Sequence, residues 1–421
     1  MDNKFRRTRF ACFYTYLAMS SIFCLPPMLF ITFREQFGIS YTLLGTLVLV
    51  NFCTQLLIDL LFTFFAKYFN IHLTIKTMPL LTTVGLVIYG VLPTIFPQNA
   101  YLWLLLGTVT FSVAAGLSEV LLSPLIAAIP SPTPDRDMSL LHSLYAYGVL
   151  SVVIISSIYF KVFGTQNWLY LVLFFSVLPI FSSVLFSTSP LPEMSVGGHG
   201  DDSSKSYSRF GITLCVMCIF LGSAAENTMT NWISSYMEAA LKIPKAVGDI
   251  LGLAVFAVLL GLGRTLYAKY GKNISNVLLF GMLGAFVCYL TIGIVNNVYI
   301  SMLACVLTGI CTSMLWPGTL ILMEEKIPNV GVAAYALMAA GGDFGGSVAP
   351  QLMGVIVDKV SESEFANNLS TSLSLTTEQI GMKTGMLVTA FFPLIGFILL
   401  IFIKKYFKKQ FKNAEDCQNR K

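Results

Sequence analysis

The chain has 421 residues, of which 56% are hydrophobic and 11% charged, with a mean hydropathy of +0.76. Soluble domains carry about 25% charged residues, so this composition excludes an ordinary water-soluble fold and points to a polytopic membrane protein. The net charge of +5 lies in the segments between apolar runs, which reads as membrane topology and not as nucleic-acid binding.

Apolar runs of about 20 residues recur along the chain, each long enough to cross a hydrocarbon core of about 30 Å as a helix. Helices satisfy their own backbone groups in lipid, so the expected fold class is all-α, with no alternating barrel pattern. Twelve spans are predicted, at roughly 9 to 33, 41 to 66, 75 to 96, 101 to 129, 138 to 162, 167 to 188, 210 to 237, 246 to 267, 274 to 296, 298 to 323, 329 to 357 and 383 to 403. An even number puts both termini on one side. With that side inside, it holds the basic run Lys4 to Arg9, Lys67, Lys76, Arg136, Lys205, Arg209, Arg264, Lys269, Lys272, Lys326 and the tail from Lys404. The outer side keeps Arg34, Lys161, Lys242, Lys245, Lys359 and Lys383, so the asymmetry places both termini in the cytoplasm of a multi-pass cell-membrane protein.

In the first span, Pro26-Pro27 should bend or unwind the helix, because proline has no backbone donor. Glu119 stands in the fourth, in Gly116-Leu-Ser-Glu-Val-Leu-Leu-Ser-Pro124, where a charge costs about 2.5 to 3.5 kcal/mol and is therefore a candidate for solute binding and ion coupling. The fifth carries His142 and Tyr145, and His142 is open to a proton relay or to a hydrogen bond between helices. Cys215-Val-Met-Cys218 in the seventh has redox or metal spacing, but it has no second pair and reads as buried thiols. Further along that span Glu226, Asn231 and Trp232 set a carboxylate and amides beside aromatic planes, the chemistry a polyol needs. Asp59 and Asp249 are expected as ion-pair or interfacial groups, and Arg264 as a group that snorkels or clamps a neighbouring loop. Trp316, before Pro317, is a secondary solute-binding candidate; Asp343, among glycines, is either a coupling group or a structural partner. The polar stretch from Asp358 to Lys383 is expected as an outer loop.

Two echoes point to duplication. Ala66-Lys67-Tyr68 recurs six spans later as Ala268-Lys269-Tyr270, and the spacing from Gly116 to Pro124 recurs from Gly309 to Pro317. The expected organisation is therefore a six-helix half over 1 to 188, a cytoplasmic linker over 189 to 209, and a second half with a basic tail over 210 to 421. Nucleotide-binding, hydrolase and metal-site signatures are missing, so neither an enzyme nor a cofactor or bound metal is expected.

The twelve-span, two-half plan resembles the major facilitator superfamily. More narrowly, Gly116-x-x-Glu119 with Pro124, Leu141-His142 to Gly148, Glu226 with Trp232, Gly263-Arg264 and Gly341 to Gly346 before Pro350 resemble the fucose:proton symporter family of sugar permeases. The resemblance implies alternating access around a central cavity and a membrane-embedded glutamate, matched by Glu119, in proton-coupled sugar transport. The acid that this family carries in its first span has no match in Leu25-Pro26-Pro27-Met28. The expected function is secondary active transport of a small polar solute, a sugar first, coupled to a proton or another ion and performed by a monomer in the bilayer. The alternatives are an exporter of drugs or metabolites on the same fold and a non-transporting sensor on a transporter scaffold. Glu119, Glu226 and Asp343 are the coupling candidates.

Overall fold

The computed structural model describes residues 3–65, 68–131, 134–192, 209–327 and 332–418, and every regular element among them is helical. The first half contains α1 (Arg6–Met28), α2 (Phe30–Phe37), α3 (Tyr41–Phe65), α4 (Ile71–Ile95), α5 (Ala100–Ala128), α6 (Pro134–Phe163) and α7 (Trp168–Ser187). There follow α8 (Arg209–Ser235), α9 (Lys245–Gly248), α10 (Val255–Tyr270), α11 (Ile274–Ile294), α12 (Val298–Thr312) and α13 (Pro317–Lys326). The chain ends with α14 (Val332–Ser361), α15 (Glu364–Leu373), α16 (Thr377–Thr389) and α17 (Phe391–Gln418). Ten helical stretches among the described residues are long and apolar enough to cross a membrane. With α6 and α14, each 30 residues long, they make up the twelve predicted spans.

Four spans are irregular. Pro26 and Pro27 remove two donors near the end of α1, and Leu29 closes back on the Pro26 carbonyl at 3.0 Å before α2 resumes. The tenth span breaks between Thr312 and Pro317. The seventh and eighth meet at wide π turns over Tyr236–Ala240 and Asp249–Ala254. The stretch expected as an outer loop instead holds α15 and the start of α16. Ser363 accepts from the Ala366 amide at 3.2 Å, and Thr376 and Gln379 cap each other reciprocally, which satisfies the first amides of both helices.

The chain divides into two compact units. Unit 1 is Met1–Gly198 with Ser234–Ala257, and unit 2 is His199–Ile233 with Val258–Lys421. The core of unit 1 gathers Leu117, Leu121 and Leu125 of α5 with Phe62, Met78 and Phe186. The core of unit 2 gathers Cys215, Cys218, Leu278, Met282, Leu315 and Met323, so the two spaced cysteines are packing groups. Ser234–Ala257 holds a buried charge cluster of its own and meets α6 beside it. Lys245 lies 3.4 Å from Asp249, 3.6 Å from Glu238 and 3.2 Å from the Ser234 hydroxyl, which also bonds Asp249. Its ammonium stands 5.8 Å from the centre of the Phe160 ring of α6. Asp249 thus takes the ion-pair role expected of it.

Candidate functional site

The polar groups of unit 1 follow from the way α3 meets α5. The Ser112 hydroxyl donates to Asn51 Oδ1 at 2.6 Å, and Gln55 Nε2 reaches the same oxygen at 3.2 Å. One turn on, Gly116 lies against Gln55 and Ile58, so closely that a Cβ there would stand 2.9 Å from that of Ile58. The two helices therefore run parallel at a nearly constant offset. A further turn brings Asp59 beside Glu119, near enough for their charges to interact. Glu119 is surrounded by protein yet keeps an exposed side chain, as a group lining a recess does. Asp59 was not expected here. Its signal was the four-residue recurrence of Asn51, Gln55 and Asp59, which sets three polar groups on one helix face. Tyr145 of α6 meets Phe23 of α1 edge-on at 5.6 Å. The His142 side chain lies outside the described residues.

In unit 2, Glu226 of α8 does not stand alone. Its Oε1 accepts from Arg264 Nη2 of α10 at 3.0 Å, and Arg264 Nε donates to the Ser313 carbonyl at 3.0 Å. The second contact has a backbone cause. Pro317 has no N–H, so the carbonyl of Ser313, four residues earlier, loses its helical donor where α12 stops. Gly263 lets α10 approach Ser313 closely, since a Cβ at that position would collide with the Ser313 side chain. Arg264 is thus a clamp on the broken tenth span and at the same time the counter-ion of Glu226.

Along α8, Asn227 donates to the Ser223 hydroxyl at 3.0 Å and Asn231 to the Asn227 carbonyl at 2.8 Å, which leaves both amide oxygens as acceptors on that face. Trp232 is wholly buried, and its indole N–H donates to the Pro350 carbonyl at 3.1 Å. It anchors α8 to α14 and has no surface for a solute in this conformation. Trp316 is half-buried at the break, with its ring against Gly342 of α14, and Asp343 follows half-buried on the same helix. Unit 2 thus joins Glu226 to Arg264 and the hinge of the tenth span, while unit 1 joins Glu119 to Asp59.

Residues 11–350 of the chain match the family model described as Major Facilitator Superfamily. No curated protein sequence matches the chain. Among solved structures, a bacterial homologue of the human lysosomal transporter Spinster, inward-facing and occupied, superposes with a TM-score of 0.77 at 12% identity, covering 97% of this chain and 98% of its own. A D-xylose–proton symporter gives 0.73 at 12% identity, covering 93% and 97%. The E. coli fucose:proton symporter gives 0.58 at 14% identity, covering 95% and 99%. At these identities the likeness is one of fold.

Proposed function

The chain belongs to the major facilitator superfamily, a family of transporters and not of enzymes, and from that premise we propose that it is a secondary active transporter of a small polar solute, a sugar first, coupled to protons. The observation that carries this reading is Glu119, a carboxylate inside a membrane-spanning helix whose side chain is nevertheless exposed. A charge placed there faces water or solute, not lipid, and its retention against the insertion cost marks a working group. The amides and hydroxyls of α8 and the Glu226–Arg264 pair supply hydrogen-bonding partners for a hydroxylated solute. Structures of the same fold include a D-xylose–proton symporter and a fucose:proton symporter, which makes proton-coupled sugar carriage the first reading to test.

In this proposal Glu119, His142, Tyr145, Glu226, Asn231 and Trp316 contact the solute, while Glu119, Glu226 and Asp343 serve the coupling. The halves 1 to 188 and 210 to 421 are its moving parts in alternating access, with the linker 189 to 209 between them. The protein acts as a monomer in the cell membrane with both termini cytoplasmic, the side that the lysines and arginines favour.

Counterflow in proteoliposomes tests the function. Purified protein should exchange at least one labelled monosaccharide or related polyol across the bilayer, and the same solute should raise its melting temperature, because a ligand that binds only the folded state stabilises it. Exchange of amphipathic amines with none of any sugar would replace the sugar reading by the exporter one.

A further inference from the structure

Arg264 is built as a receptor and not only as a clamp. A guanidinium carries five N–H donors, and here one goes to the Ser313 carbonyl and one to Glu226, so the plane is fixed by a backbone group and a carboxylate. The side chain is still 41% exposed, against 17% for Glu226. On α10 the exposed apolar stripe is Val258, Leu262 and Leu266, four residues apart. Arg264, two residues from both Leu262 and Leu266, lies about 200° round the helix from either, so its open edge faces away from that stripe. A rigid, exposed guanidinium edge presents paired donors in the geometry that a carboxylate fills with two parallel hydrogen bonds.

We propose that Arg264 binds the carboxylate of an acidic polyhydroxy solute, a sugar acid, and that Glu226 releases the guanidinium by taking up a proton. The proposal rests on the transporter reading above and narrows its substrate class. The charges balance. Glu226 and Arg264 sum to zero when paired; a proton from the aqueous phase neutralises Glu226, leaving Arg264 with one positive charge, and the solute's single negative charge cancels it. One proton and one monoanion cross together with no net charge. A neutral sugar has no charge to exchange and leaves the ion pair closed.

Other groups on the surrounding helices do not supply this function. Between Val298 and Pro317 the tenth span carries no charged side chain and offers only its carbonyl. Tyr289 of α11 donates its hydroxyl to the Ala225 carbonyl at 2.7 Å. Asp343 of α14, a helix packed against α8, already has an interaction partner and would repel an anion, as would Glu325 of α13, whose charge reaches Tyr267 on α10.

The test compares glucuronate and gluconate with glucose, in thermal shift of the purified protein and in proteoliposome uptake. The acids should stabilise the protein more at pH 5.5 than at pH 8, and an inward proton gradient should drive their uptake whether or not valinomycin clamps the membrane potential. Arg264→Lys keeps the charge but loses the fork, and should weaken acid binding about tenfold or more. Glu226→Gln should bind the acids with no dependence on pH and lose gradient-driven accumulation, which a purely structural ion pair would not produce. The double variant Glu226→Gln/Arg264→Gln, neutral and still able to hydrogen-bond, guards against misfolding and should bind no acid. Glucose binding and exchange without either acid would overturn this proposal and leave the transporter reading standing. Absence of shift and exchange for all three solutes would overturn it together with the sugar reading.

Discussion

Glu226 has a cation 3.0 Å away, while the charged neighbour of Glu119 is a second carboxylate, Asp59. Among the described residues no cation stands within ion-pair distance of Glu119. A side chain so placed contributes no ion pair to holding these helices together, which separates the coupling role proposed for it from any role in folding. Glu119→Gln should therefore leave the melting temperature within about 2 °C, a surface-sized effect below about 0.5 kcal/mol. It should retain solute counterflow and abolish accumulation driven by a proton gradient. Equal accumulation in variant and wild type would remove Glu119 from coupling. Trp232 predicts the opposite pattern. Trp232→Phe keeps most of the packing and removes one hydrogen bond to a carbonyl that α14 still satisfies, a loss of about 0.5 to 1.5 kcal/mol seen as a lower melting temperature. Solute affinity in the protein that remains folded should be unchanged. The sequence placed Trp232 beside Glu226 correctly along the chain, but neighbours on a helix point in different directions, and only packing against α14 decides that this ring is an anchor.

Element boundaries were largely legible, because hydropathy switches sharply where helices leave lipid. The predicted fourth span, 101 to 129, and the observed α5, Ala100–Ala128, differ by one residue at each end. The breaks were legible only in part. Pro26-Pro27 announced the first, and Pro317 marked the second, but the guanidinium that fills the carbonyl freed by Pro317 comes from 49 residues away and has no local signal. The polar stretch after Asp358 hid α15 because few of its residues are apolar, although Ser363 and the Thr376–Gln379 capping box were present in the sequence as helix starts. The two glycine environments make a paired test at this scale. A Cβ at Gly261 would meet nothing within 4 Å, whereas at Gly116 that carbon would stand 2.9 Å from Ile58 Cβ and 3.2 Å from Gln55 Cα. Gly261→Ala should leave stability unchanged or raise it by up to about 1 kcal/mol, the helix-propensity gain. Gly116→Ala should lower it by about 1 to 3 kcal/mol as α3 and α5 are forced apart, and uptake should fall with it because Glu119 and Asp59 lie one turn further on. Thermal melting in detergent together with uptake measures both variants.

The all-helical, twelve-span class followed from composition and spacing, since a chain this apolar can satisfy its backbone in lipid only with helices or a closed barrel. The grouping of Ser234–Ala257 with unit 1 could not be read in this way, because it depends on which helix the segment packs against after folding. Lys245 and Asp249 keep 7% and 1% of their side chains exposed, so the cluster is held away from water. Removing one partner from a buried ion pair costs about 3 to 5 kcal/mol, because the other charge is left without compensation. Lys245→Met strands Glu238 and Asp249, and the segment can relieve that cost by moving off α6 until the carboxylates reach water. Spin labels at Val162 on α6 and Val247 on α9, both exposed, report the movement. In the wild type they should give one short distance, and in Lys245→Met a second, longer population should appear. Neutralising the stranded acids as well, in Lys245→Met/Glu238→Gln/Asp249→Asn, should return the distribution toward the short distance, since amides of the same shape need no counter-ion. A single variant with an unchanged distribution would assign the contact with α6 to apolar packing around Phe160 instead of to charge.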